Sequence, residues 1–455
     1  MAFVRFCVEG RSAMMRLHLM FKSVMLFLCF AGSGPSETFL AAEPTIDELK
    51  VELQSKETKT RKKAAIQLGK TKSHDAVSPL LNAAADTDPG VREEVVKALG
   101  LLKDQDAVTM LLTTLQDPVE NVRRQSIIAL VNLYFDRDAE FVITRVSKKV
   151  YKTVNPFSDQ VGNDPSVIEA YVKVPPSVID SIAEHLVDPS TNVRLDAAKA
   201  LGVLRGQSVV PKLFDSMKTG DANLKIAILR SLYKIRDTSV DESLLPYLND
   251  AHKDVREETL VTLGLLRSKK ALSEMQRIYD QNPDTKLRLL AFQAVSMVGD
   301  VSSLDLFKRK LKDPDKPYRV AAAEGIARVG DATVSEDVSR AYIKEKNLGC
   351  QLAMSFALYR LGRSEYVEKL IAGVEEGFYH EQVEAYFLEI GAPVVPELVN
   401  NLNHKNSDVR LRLCRVLGWI GDTSTIESLK PLLKDSNTSV VSEAALAIRR
   451  LNARS

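Results

Sequence analysis

The chain has 455 residues, 45% of them hydrophobic and 27% charged, and a formal net charge of +2. Four of the 62 basic and two of the 60 acidic residues fall within residues 1–42, leaving 58 of each sign in the rest. A nucleic-acid binder carries a basic excess, so this balance argues against that class, while the apolar and charged fractions are those of a soluble folded protein.

At the N-terminus, Arg16 and Lys22 precede an apolar stretch from Val24 to Ala31. The stretch is too short to span a bilayer but has the length of a secretory h-region. Small residues follow at Ala31–Gly34 and at Ala41 and Ala42. Residues 1–42 are therefore expected to be a signal peptide or hydrophobic targeting segment. That predicts export to the periplasm or cell envelope of a bacterium. Leu26–Cys29 resembles a lipoprotein signal box, although Leu28 is larger than the usual residue before the Cys. Lipidation at Cys29 would be the chain's one link to a membrane.

From residue 43 to 455 a segment returns about every 31 residues. Its clearest copy runs from Asp88 to Gly100, with Val91-Arg92 followed by Ala98-Leu99-Gly100. The Arg sets the register: Arg61, Arg92, Arg123, Arg194, then Lys225, Arg256, Arg288, Arg319, Gln351, Gln382, Arg410 and Val441. A fixed period of this size signals a solenoid. Each unit reads as two helices. The first carries Leu and Val at helical spacing. An Asp-containing turn follows, often Asp-Pro (88–89, 117–118, 188–189, 313–314), with Asp suited to the cap and Pro to the first turn. The second helix carries small residues such as Ala197, Ala198 and Ala200. Gly69, Gly100, Gly202, Gly264 and Gly418 are expected to end it in the left-handed conformation.

This register resembles HEAT repeats, in particular the short, phycobilisome-lyase-like variety, over about residues 45–451. The resemblance implies an all-α fold, a right-handed α-solenoid of about 12–13 two-helix repeats. It implies little about function, since such repeats serve unrelated roles. The leading expectation is a non-enzymatic scaffold that binds another protein. A bilin-lyase-like enzyme and a HEAT-like nucleic-acid-binding protein are the alternatives.

The Arg file is expected to be structural, each guanidinium pairing with an Asp of its own or the neighbouring unit. Residues just after it are the geometric candidates for a concave binding face: Glu93, Glu94, Lys97, Arg124, Leu195, Lys199, Glu257, Glu258, Gln293, Glu324 and Arg412. Gln351 and Gln382 lie in the most divergent stretch, about 335–395.

Between Arg123 and Arg194 the spacing lengthens, which places an insertion or degenerate repeat at 136–175. Residues 139–154 suit an amphipathic helix or, from their β-branched content, a strand. Asp164–Val167 echoes a helix start. Insertions in solenoids map to one face and often bind, so Arg145, Lys148, Lys149, Tyr151 and Phe157 are candidate contacts. A second aromatic-acidic feature, Glu375–His380, reads as an inter-helix loop.

No phosphate loop, His-Glu-x-x-His, Cys-x-x-Cys or Gly-x-Ser-x-Gly motif is present. No catalytic, cofactor or metal residues are therefore assigned. Cys350 and Cys414 fall at apolar positions two units apart and are expected to be buried thiols, and Arg449-Arg450 should leave a wettable C-terminal end.

Overall fold

The computed structural model describes residues 44–135 and 166–454. The expected targeting segment at 1–42, including Cys29, lies outside the described residues, as do Arg145, Lys148, Lys149, Tyr151 and Phe157.

Among the described residues the chain forms 24 α-helices with intervening 3-10 turns and no strand. They pair into twelve repeats, from Ile46–Glu52 with Thr58–Lys70 to Thr425–Leu429 with Thr438–Asn452. The second helices of repeats 2 to 11 are Pro89–Leu102, Glu120–Tyr134, Thr191–Val203, Ala222–Ile235, Lys253–Leu265, Thr285–Val298, Lys316–Val329, Leu348–Arg360, His380–Ile390 and Ser407–Ile420. This is the α-solenoid that the period predicts.

Second helices stack on one another along the array, while first helices of successive repeats barely touch. Small residues set that difference. A side-chain carbon at Gly69 would lie 2.7 Å from the Ala98 backbone, at Gly100 2.8 Å from Ala129, at Gly202 2.8 Å from Ser231 and at Gly418 2.8 Å from Ala447. Helices meeting through Gly and Ala come closer than those separated by Leu, so the second helices form the tight, inner layer. The close stack relaxes at His380–Ile390. There the rings of Phe356 and Tyr386 lie parallel at 4.4 Å.

The glycines thus do a different job from the one expected. Gly69, Gly100, Gly202, Gly264 and Gly418 sit inside their helices. The left-handed residues come later: Lys72, Lys103, Arg205, Arg236 and Arg267, then Gly299, Gly330, Gly362 and Gly391. A long side chain at such a position can reach another repeat. Lys103 Nζ donates to Phe135 O at 2.6 Å.

Candidate partner-binding surfaces

The Arg file is a set of inter-repeat clamps. Arg61 donates from Nε and Nη2 to Asp86 of the next repeat (2.6 and 2.9 Å) and from Nη1 to Ser55 O (2.9 Å) in its own turn. Arg92 does the same with Asp117 and Asp86 O, Arg319 with Glu345 and Asp313 O, and Arg410 with Asp435 and His404 O. The guanidinium fork matches a carboxylate while its third edge satisfies turn carbonyls.

The acceptor is the turn Asp two residues before the cap. Asp86, Asp117, Asp188, Asp250, Asp313 and Asp435 each accept the backbone N–H two residues on. Asp88, in the motif that defined the register, is instead the cap itself. The four Asp-Pro pairs are therefore not equivalent. Lys225 keeps its rung through Asp250 at 2.7 Å. Arg194 and Arg256 bind only oxygens of their own turns. Arg288 leaves the pattern and donates to Tyr279 O, while Lys310 pairs with Asp313. Gln351 retains the carbonyl contact, to Glu345 O.

One rung locates the interruption. Arg123 forks onto Asp188 at 2.8 and 2.8 Å, 65 residues ahead, where the other full rungs reach 25 or 26. Arg124 pairs with Asp196 (2.8 Å), Asn192 with Glu120 (2.9 Å), and His185 Nε2 bonds Leu115 O (2.8 Å). Repeats 3 and 4 therefore stack directly on each other. Residues 166–175 contain no helix, so the helix-start echo at Asp164–Val167 does not continue into a helix.

The concave-face candidates are mostly engaged within the array. Lys97 bonds Glu93 and Glu94 at 2.6 and 3.0 Å. Glu257 pairs with Lys286, Glu258 with Arg230, and Arg412 with Glu384. Lys199 is half-buried among Asp196, Arg124 and Arg230, and burial pushes its ammonium down. Glu324 is buried, its carboxyl raised by desolvation, and accepts the Tyr386 hydroxyl at 2.8 Å. Leu195 and Gln293 are half-buried. Glu389 gathers Arg328 of repeat 8 (2.9 Å) and Arg267, just past repeat 6 (2.6 Å). Most of the charged candidates on this face thus already hold partners within the array, and Glu389 extends that pairing from repeat 6 to repeat 10.

A family model described as HEAT repeats matches residues 46–131, 179–249, 241–327 and 390–454. The chain belongs to the HEAT-repeat family. Among curated proteins it is similar to Protein YibA of Escherichia coli K12 and of O157:H7, 26% identical over 100 residues. That stretch is 22% of this chain and spans about a third (36%) of those relatives. Similar solved structures are an engineered protein (17% identity, 90% of this chain and 98% of that one, TM-score 0.34) and YibA of E. coli (18%, 65% and 98%, 0.41). A third is the complex of CpcE and CpcF of phycocyanin lyase from Nostoc sp. PCC7120 (17%, 68% and 96%, 0.27). These likenesses concern the fold and carry no argument about activity.

Two further HEAT-repeat features have structural explanations. His74, Asp104 and Asp106 cluster on neighbouring repeats. Asp104 caps the 3-10 turn that opens the next first helix and takes His74 as its inter-repeat partner; Asp237 does the same with Gln207. The grouping is thus a rung of a second ladder, which the sequence reading missed. Cys350 and Cys414 are buried free thiols, as their positions indicated, raised by desolvation to about 11 and about 12.

Proposed function

We propose that this HEAT-repeat scaffold binds another protein through residues 136–165, acts without catalysis, and works in the bacterial cell envelope. The observation that carries this is the Arg123–Asp188 rung. Repeats 3 and 4 are clamped to each other, so the stack does not require the intervening residues. Most inner-face charges already hold partners within the array, Lys97 on its own helix and Glu257, Glu258 and Arg412 across repeats, so the repeated positions offer little specificity. The interruption carries Arg145, Lys148, Lys149, Tyr151 and Phe157, aromatic and basic side chains of the kind from which binding hot spots are made.

The envelope assignment rests on the apolar stretch Val24–Ala31 behind Arg16 and Lys22. No helix among the described residues is long and apolar enough to cross a membrane. Intact-mass measurement of the protein from fractionated cells tests it. A mature chain starting between residues 33 and 43 is expected; an intact Met1 in the cytosolic fraction overturns it.

Deleting 138–163, with a short Gly/Ser join, tests the binding role. The shortened chain should keep the thermal unfolding midpoint of the full chain and lose its in-cell crosslinks. Retention of the same crosslinked species refutes the reading.

A further inference from the structure

Arg450 does not leave a wettable end. Its side chain is 5% exposed and forks onto Glu169 from Nε (3.0 and 3.1 Å) and Nη2 (2.6 Å), linking residues 281 apart in sequence. The guanidinium also lies over the Trp419 ring, 4.3 Å from its centroid. Glu169 belongs to the non-helical stretch just before repeat 4. That stretch is anchored beside it: Ile168 N–H donates to Val203 O at 2.9 Å, and the Val167 and Ile168 side chains are buried. A strap fixed to repeat 4 thus reaches the last repeat.

The neighbourhood is an alternating chain of charge. Arg412 and Arg415 share Glu384, Arg415 continues to Glu443, and Glu443 stands 3.7 Å from Arg450. Glu169 completes it. Without Glu169, four guanidinium groups (Arg412, Arg415, Arg450 and Arg454) would face two carboxylates. Arg454 itself donates to Trp419 O and Gly418 O.

In a solenoid each repeat contacts its neighbours, so small changes of angle accumulate and the distance between far repeats is soft. A contact between repeat 4 and repeat 12 acts on that soft coordinate with the leverage of eight intervening steps. We propose that Glu169–Arg450 is a latch that holds the array from repeat 4 to repeat 12 in its closed curvature. Glu389, with Arg328 and Arg267, ties repeats 6, 8 and 10 independently, so release of the latch opens the array mainly beyond repeat 10.

Small-angle X-ray scattering of the full chain, with amide hydrogen exchange, tests this. Glu169 lies outside any helix, so Glu169→Gln leaves every helix intact. Glu169→Gln and Arg450→Glu should each increase the radius of gyration by a few ångströms at unchanged helical circular dichroism. Exchange at the Ile168 amide should speed at least tenfold. Glu169→Asp, which keeps the carboxylate, should expand the chain less than Glu169→Gln. An unchanged profile for Glu169→Gln overturns the latch. So does equal expansion in Glu169→Asp and Glu169→Gln, since that marks general damage to packing.

Discussion

Asp188→Ala tests whether repeats 3 and 4 are clamped to each other. The Asp188 carboxylate accepts two bonds from Arg123 at 2.8 Å and the Ser190 N–H at 2.8 Å, and its side chain is 5% exposed against 12% for Arg123. Removing one member of a buried pair costs about 3–5 kcal/mol, because the other charge loses its partner. Here Arg123 keeps Asp117 O and Pro118 O at 2.9 and 3.1 Å, so about 3 kcal/mol is expected. Arg194→Met provides the contrast. Arg194 binds two turn carbonyls and the Thr191 hydroxyl but no carboxylate, so about 1–2 kcal/mol is expected. Urea unfolding followed by circular dichroism reads the difference. Because a linear array couples only neighbours, Asp188→Ala should also split the transition, with repeats 1–3 unfolding apart from repeats 4–12. Hydrogen exchange should accelerate in Glu120–Tyr134 and Thr191–Val203 first. A change under about 0.5 kcal/mol with one unsplit transition, as for an ordinary surface substitution, would refute direct stacking across the insertion.

Gly100→Ala should destabilise by about 1–3 kcal/mol, since its new carbon would sit 2.8 Å from the Ala129 backbone, whereas a solvent-facing helical glycine would gain about 1 kcal/mol from the same change; thermal unfolding decides the sign. The rungs should make the array acid-sensitive. Bonds from Arg61 and Arg410 hold Asp86 and Asp435 below the usual carboxylate range; at Asp117 and Asp188 burial pushes upward, but the Arg and backbone bonds outweigh it and both also end low. Carboxylates depressed on folding contribute stability that is complete above about pH 4 and lost as pH falls through their folded values, so the urea midpoint should drop steeply below pH 4 and less steeply in Asp117→Asn. His74 has the opposite sign: its bond to Asp104 raises it, so its small contribution is full below about pH 6.5 and fades as pH rises through the raised value, and an NMR titration should place it above 6.5. Iodoacetamide at pH 8 should leave Cys350 and Cys414 unmodified until the chain unfolds.

The fold was legible because one residue type marks the period. Arg61, Arg92, Arg123 and Arg410 recur in one register, and the structural reading of that file predicts their clamps. The rung acceptor was harder to see. Asp88-Pro89 mimics Asp117-Pro118, yet lies two residues later relative to its Arg, and only the count from Arg92 back to Asp86 distinguishes them. The inner-face network was not legible. Glu257 and Arg412 look solvent-facing by helical position, but they pair with Lys286 and Glu384 of neighbouring second helices, partners that only the stacking of repeats brings within reach. The convergence of Arg267, Arg328 and Glu389 depends on the accumulated curvature of several repeats, which no local pattern encodes. Arg450 is the sharpest case: terminal in sequence, it is buried because the array brings Glu169 back to it.

The central claim is that specificity lies in the interruption and not in the repeated inner face. Photo-crosslinking in cells tests it, with a benzophenone amino acid placed singly at Tyr151, Phe157, Lys97, Glu257 or Arg412 of the full chain. The account predicts discrete protein adducts from positions 151 and 157 and none from the other three. Adducts from 97, 257 and 412, with none from 151 or 157, would contradict it.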